Sequence, residues 1–219
     1  MVNISVMIEG GAIDSNTDVA TVENTASLRQ SFHRIFSELS GNEVKISVEP
    51  KAGYRNAARL FSKSSDNNTC LYVDLDDKKE NIFNWFDELE RGNNPIIISD
   101  NKKGNVFFMI QEMEAWILKQ PEIIEVWGQK ERYTRLNPQE VLAQHSLIAG
   151  KNIEDISKPS GVLYDIIKHF FSKEYNGKKK KIQYGKLKTA PKLLDCLDVT
   201  ILKSNDTEAE RFYNYVKTI

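Results

Sequence analysis

The chain has 219 residues, 40% hydrophobic and 28% charged, with 30 Lys and Arg against 31 Asp and Glu. That fits one large globular domain, or one domain with an appendage, and the net charge of −1 supplies no global field for nucleic acid or membrane. No apolar run approaches the roughly 18 residues of a membrane span, and two cysteines with three scattered histidines build neither a disulfide framework nor a zinc site, which points to reduced thiols in a cytoplasmic setting.

Residues 3–8 form a short apolar run that ends in Glu9-Gly10-Gly11, so the start reads as a strand feeding a tight turn and not as a signal peptide. From 24 to 40 the apolar residues Leu28, Phe32, Ile35, Phe36 and Leu39 share one helical face, with Gly41 as the stop. Val44, Ile46 and Val48 alternate as a strand before Pro50, and residues 52–62 suit a helix. A third strand over 70–73 runs into Asp74-Leu75-Asp76-Asp77, and a helix is expected over 81–89. Residues 95–99 and 106–110 read as two further strands joined by a polar turn over 100–104. Strands alternating with helices call for an α/β fold, a largely parallel sheet with helices on both faces.

After Gln111 the texture changes. Segments 112–119, 121–127, 138–145, 159–174, 186–197 and 204–217 all read as helical. The expected organisation is an α/β core over residues 1–110 and a helical C-terminal elaboration over 111–219, packed on that core as one structural unit.

Acids at strand ends carry the chemical signal. Residues two apart on an extended chain share a face, so Asp74 and Asp76 can reach one ion. Ligands of open parallel sheets bind beyond the carboxyl ends of the strands. With the common strand order 2-1-3-4, Glu9 converges on the same point. An oxygen-only set suits Mg²⁺ or Mn²⁺, and such a site clamps phosphate oxygens and activates water. The plainer reading is that Asp76 or Asp77 caps the following helix. No GxGxxG or GxxxxGK[ST] loop is present.

A Glu-Gly at the end of the first strand and an Asp-x-Asp at the end of a later one resemble the Toprim signature of type IA and II topoisomerases, bacterial primases and the overcoming-lysogenisation-defect nucleases. The resemblance places the family's acids on Glu9, Asp74 and Asp76, with Asp14 a candidate for a further acid of the nuclease members. The blocks VMIEGG, AGYRNAARLF, LYVDLDD, MIQEMEAWIL, ISKPSGVL and YGKLKTAPKLLDCLD look more closely like small bacterial Toprim-like proteins encoded beside an AAA/ABC-type ATPase in defence loci. What this implies is a metal-dependent nuclease acting on DNA or RNA with an ATPase partner. The alternative is a non-catalytic nucleic-acid-binding, regulatory or toxin subunit that keeps the fold.

Other candidates surround that core. Glu112 and Glu114 follow a strand and can add metal ligands; if the chain is already helical there, only one of them faces the site. Arg55, after Gly53, can hold a phosphate or form a surface ion pair. Residues 178–192 hold seven lysines and no acid: Lys178, Lys179, Lys180, Lys181, Lys186, Lys188 and Lys192. With Tyr184 among them as a possible stacking ring, they form either a nucleic-acid track or a solvated loop. Lys186, within YGKLK, is the best candidate for a catalytic or phosphate-holding lysine.

Overall fold

Four of the five apolar runs predicted as strands assemble into a parallel sheet built from β1 (Val2–Glu9), β2 (Val44–Lys51), β3 (Thr69–Asp74) and β4 (Val106–Met109), in the order β2-β1-β3-β4. The computed structural model describes residues 2–10, 19–41 and 44–219. Asp14 lies outside the described residues. Registers Ile8↔Tyr72 and Asp74↔Met109 bring the ends of β1, β3 and β4 level. β2 runs through Pro50, which an edge strand tolerates.

Alternation along the strands sends side chains to two separate cores. Ile4, Val6, Ile8, Cys70, Tyr72 and Phe107 face one side, where α1 (Val19–Ser40) and the C-terminal helices pack. Met7, Leu71, Val73 and Phe108 face the other, against α2 (Tyr54–Lys63) and α3 (Ile82–Glu90). The expected α/β class, a parallel sheet covered on both faces, is what the structure has. On the first side the rings of Phe36, Tyr72, Phe107 and Phe212 meet at 5.1–5.9 Å between centroids. Tyr72 and Phe107 are stacked and the other pairs are tilted or edge-on, arrangements that suit the ring quadrupoles.

Residues 95–99 are not a strand of this sheet. Ile96 and Ile98 are buried and Ile97 is exposed, so the segment alternates as an extended chain should. Its place on the sheet is already taken, however. The outer edge of β4 is closed by α10 (Thr207–Lys217): Glu208 Oε2 accepts from the Phe108 amide at 3.1 Å, and Arg211 donates to the Val106 and Gly104 carbonyls. Side chains thus satisfy an edge that would otherwise invite another strand. The predicted turn over 100–104 contains a single helical turn, α4 (Asp100–Lys103).

The C-terminal half is less helical than its sequence suggests. α5 (Glu114–Leu118), α6 (Glu122–Lys130), α7 (Pro159–Phe170), α8 (Lys186–Leu194) and α9 (Val199–Asn205) are present. Residues 138–145 form only the 3₁₀ turn Leu142–Gln144, since Leu142 alone is buried there and no apolar face exists to dock a helix. The helix predicted over 159–174 stops at Phe170, and the chain turns into a small antiparallel sheet of β5 (Thr134–Arg135), β6 (Phe171–Tyr175) and β7 (Lys178–Lys181). Asp206 splits the predicted 204–217 helix. Its Oδ1 accepts from the Glu208 and Ala209 amides at 3.1 and 2.9 Å, starting α10 afresh. Gly128 lets α6 approach β6: a Cβ there would lie 2.3 Å from the buried Phe171 ring. Among the described residues no helix is long and apolar enough to cross a membrane.

Candidate functional site

At the carboxyl end of the parallel sheet the strands deliver acids to one place. Glu9 ends β1 and Asp74 ends β3. With Lys186, at the start of α8, they line a cavity of about 280 Å³ whose walls are Leu28, Phe32, Met109, Met113 and Leu187. A larger cavity, about 470 Å³, lies between α6 and β5 and contains none of these acids. Volume and chemistry therefore disagree about where a ligand belongs. We take the smaller cavity as the candidate site, because it lies at the carboxyl end of the parallel sheet and its Glu9 and Lys186 are both held above their ordinary pKa values.

Asp74 is held from both sides. Its Oδ1 accepts from the Met113 amide and its Oδ2 from Lys186 Nζ, each at 2.9 Å. Lys186 Nζ also stands 3.9 Å from Glu114 Oε2. Burial opposes the lysine's charge, yet Asp74 and Glu114 outweigh it and hold the ammonium above its usual range. Glu114 is fully buried on α5, and burial raises its carboxyl pKa against the pull of Lys186 and Tyr184. Tyr184 donates its hydroxyl to Glu114 Oε1 at 2.6 Å, while Glu114 Oε2 has no hydrogen-bond partner. Tyr184 is thereby a site residue of a different kind from the base-stacking ring expected of it.

Glu9 has a carboxyl pKa pushed up to about 7, by burial first and then by the charges of Asp74 and Asp76; Lys186 and the Tyr54 backbone N–H oppose the rise. Asp76 is also raised, by burial, Asp74 and Glu112 in that order. Asp76 does not cap the next helical turn, whose cap position is Lys78 with no side-chain bond. It is Asp77 that serves locally, with Oδ1 accepting from the Lys78 amide and from Asn81 Nδ2.

The backbone here is unusual. Asp76 and Gln111 both have positive φ, 55° and 62°, and are locked together by Asp76 N–H to the Gln111 carbonyl at 2.8 Å. Non-glycine residues in this region are held by their surroundings at a cost, often at functional sites. Gly10 and Gly53, at φ 151° and 69°, supply the matching turns after β1 and before α2, conformations open to glycine.

The remaining predicted residues fall around this centre. Glu112 turns to α7, where its Oε2 accepts from the Ser160 amide at 2.8 Å, favourable at a helix start. Glu114, not Glu112, is the one that meets Asp74's lysine. The Arg55 guanidinium donates to the carbonyls of Glu88, Leu89 and Asn94 at 3.1–3.2 Å and ties α2 to the end of α3. Lys178, Lys179, Lys180 and Lys181 form β7 and are exposed, as is Lys188 on α8; the four-lysine run is a strand, not a loop.

The donor chemistry fits a hard divalent cation. It is oxygen-only, and burial first, then the charge of Asp74, raises the carboxyl pKa values of Glu9, Asp76 and Glu114, a strain that a bound cation would relieve. Placement is a different matter: among the described residues no group of three or more His, Cys, Asp or Glu side chains is arranged to hold a metal, and Lys186 supplies the cation. No family model, curated protein or solved structure matches the chain.

Glu9 gives the site a pH signature without metal. Its folded pKa, about 7, exceeds its ordinary 4.5, so the folded state keeps a proton that the unfolded chain has lost. Stability then falls as pH rises from about 4.5 through 7. In a chelating buffer, Glu9→Gln is expected to melt near wild type at pH 5 and above it at pH 8. A melting difference that ignores pH would refute the assignment.

Proposed function

We propose that this protein is a Toprim-like, metal-dependent nuclease that cleaves phosphodiester bonds of DNA or RNA at the Glu9, Asp74 and Asp76 cluster. The observation that carries the reading is the buried Asp74, fixed between the Met113 amide and Lys186 beside a Glu9 carboxyl with a pKa of about 7, at the carboxyl end of a parallel sheet. Glu9, Asp74 and Asp76 are the residues that would hold Mg²⁺ or Mn²⁺, with Glu114 behind them. A bound ion of this kind polarises a phosphoryl oxygen and makes water a better nucleophile.

The chain's own residues do the rest. As an alternative to holding the ion, Glu9 serves as general base, since a carboxyl with a pKa of about 7 is matched to taking a proton from water at cellular pH. Lys186, half-exposed and fully charged, is placed to neutralise a phosphate that enters the cavity. Apolar walls from Phe32, Met109 and Met113 limit water around that contact. The sequence resemblance supports an AAA/ABC-type ATPase partner in anti-phage defence, and the two free cysteines support a cytoplasmic setting.

One observation favours a second reading. Lys186 already balances Asp74, and among the described residues no trio of acids is set for a metal. In that case the protein is a non-catalytic nucleic-acid-binding or regulatory subunit. Incubation with plasmid, single-stranded oligonucleotides and tRNA, in Mg²⁺, Mn²⁺ or chelator, separates the two. Cleavage in metal alone supports the nuclease; binding without cleavage under every condition supports the second reading.

A further inference from the structure

The lysine run becomes more specific once it is folded. β6 and β7 form a two-residue hairpin whose turn, Asn176-Gly177, has positive φ at both positions, 51° and 72°, the arrangement of a type I′ turn that fixes register. Tyr175 faces Lys178, Glu174 faces Lys179, Lys173 faces Lys180 and Ser172 faces Lys181. Opposed residues of an antiparallel pair share a face, and neighbours along a strand alternate. One face of the ribbon therefore carries Lys173, Lys178, Lys180 and Tyr175, with no acid. The other carries Glu174, Lys179, Lys181 and the buried Ser172.

The acid-free face also has aromatic surface. Tyr175 is 62% exposed, and Lys180 Nζ lies 5.1 Å from its ring centroid. Lys173 Nζ lies 5.9 Å from the ring of Tyr133. Cations spaced along one side of an extended ribbon, beside an open ring, match a single-stranded nucleic acid: lysines meet phosphates and a tyrosine stacks on an unpaired base. The competing use of lysine on an edge strand is to prevent strand-to-strand association, and that use is indifferent to face.

We propose that this one face, Lys173, Lys178, Lys180 and Tyr175, is a docking surface for single-stranded nucleic acid. The inference deepens the nucleic-acid reading above and rests on it, but it needs no metal and no cleavage.

The test is binding of a labelled single-stranded oligonucleotide in chelator, as a function of salt, by the wild type, a Lys173→Gln/Lys178→Gln/Lys180→Gln variant and a Lys179→Gln/Lys181→Gln variant. Each single-strand phosphate contact contributes about 0.7 to the slope of log K against log salt. The triple variant should lose about 2 units of slope by that rule, and the double variant should keep the wild-type slope. Tyr175→Ala should weaken binding by about 5- to 150-fold, the value of one stacked base, with an unchanged slope. Equal losses in the two lysine variants, or no loss in the triple, would overturn the proposal while leaving cleavage elsewhere on the protein intact. So would duplex binding that falls while single-strand binding does not. A wild type that neither binds nor cleaves removes the ribbon proposal and the underlying reading together.

Discussion

Asp74→Ala is expected to abolish metal-dependent cleavage and also to destabilise the protein, whereas Asp76→Asn is expected to abolish cleavage alone. The two acids are separated by Leu75 alone yet have different surroundings. Asp74 is buried and satisfies the Met113 amide; removing its carboxylate strands that buried donor, a loss of about 1–3 kcal/mol. Its contact with the half-exposed Lys186 adds less, because water screens that partner. Asp76 has its carboxyl raised by burial and by two neighbouring acids, so neutralising it relieves repulsion. Asn also tolerates the positive φ at this position, where Ala would add strain. Losing one ligand from a metal that stabilises charge by several kcal/mol should cost about 10²-fold or more in rate. Thermal melts and cleavage assays on both variants check the pair. Full cleavage by Asp74→Ala would end the assignment of cleavage to this group of acids, and unfolding of Asp76→Asn would show that Asp76 serves structure.

The difference between these acids could not be read from the sequence. Strand period and strand-end position are local, and they brought Glu9, Asp74 and Asp76 to one end of the sheet with strand order 2-1-3-4. What each carboxylate touches depends on partners 39 and 112 residues away, Met113 and Lys186, and no spacing rule reaches that far. The Tyr184 hydroxyl on Glu114 is of the same kind. Other features were within reach. Asn176-Gly177 is a strong hairpin signal, but the helical periodicity of 159–170 extends the predicted helix to residue 174, over most of β6. Asp206 reads as an N-cap, and the continuous apolar pattern on either side hid the break. Residues 95–99 alternate as a strand should; only the closure of the β4 edge by Glu208 and Arg211 keeps them out of the sheet.

Lys186→Ala is expected to lower turnover far more than nucleic-acid binding, and to leave the carboxylate cluster without its cation. Asp74 and the fully buried Glu114 both lean on this one ammonium. Breaking a buried pair costs several kcal/mol; the half-exposed lysine reduces that to about 1–2 kcal/mol at neutral pH. The loss should depend on pH with a definite sign. Burial already raises the Glu114 carboxyl pKa while Lys186 holds it down, so removing the lysine lets it rise further. A folded pKa raised above the unfolded one means stability lost as pH rises and regained as the group is protonated. The gap between Lys186→Ala and wild type should therefore narrow from pH 8 to pH 5. Adding Glu114→Gln should recover part of the stability, because the stranded charge is gone, and a coupling of about 1 kcal/mol or more is expected for groups in contact. Turnover should not return in that double variant, since Gln cannot replace the ammonium at a phosphate. Lys186→Arg separates the two duties: its charge keeps the cluster stable, and its different shape should still impair turnover. Wild-type turnover in Lys186→Ala would confine this lysine to the role of counter-ion.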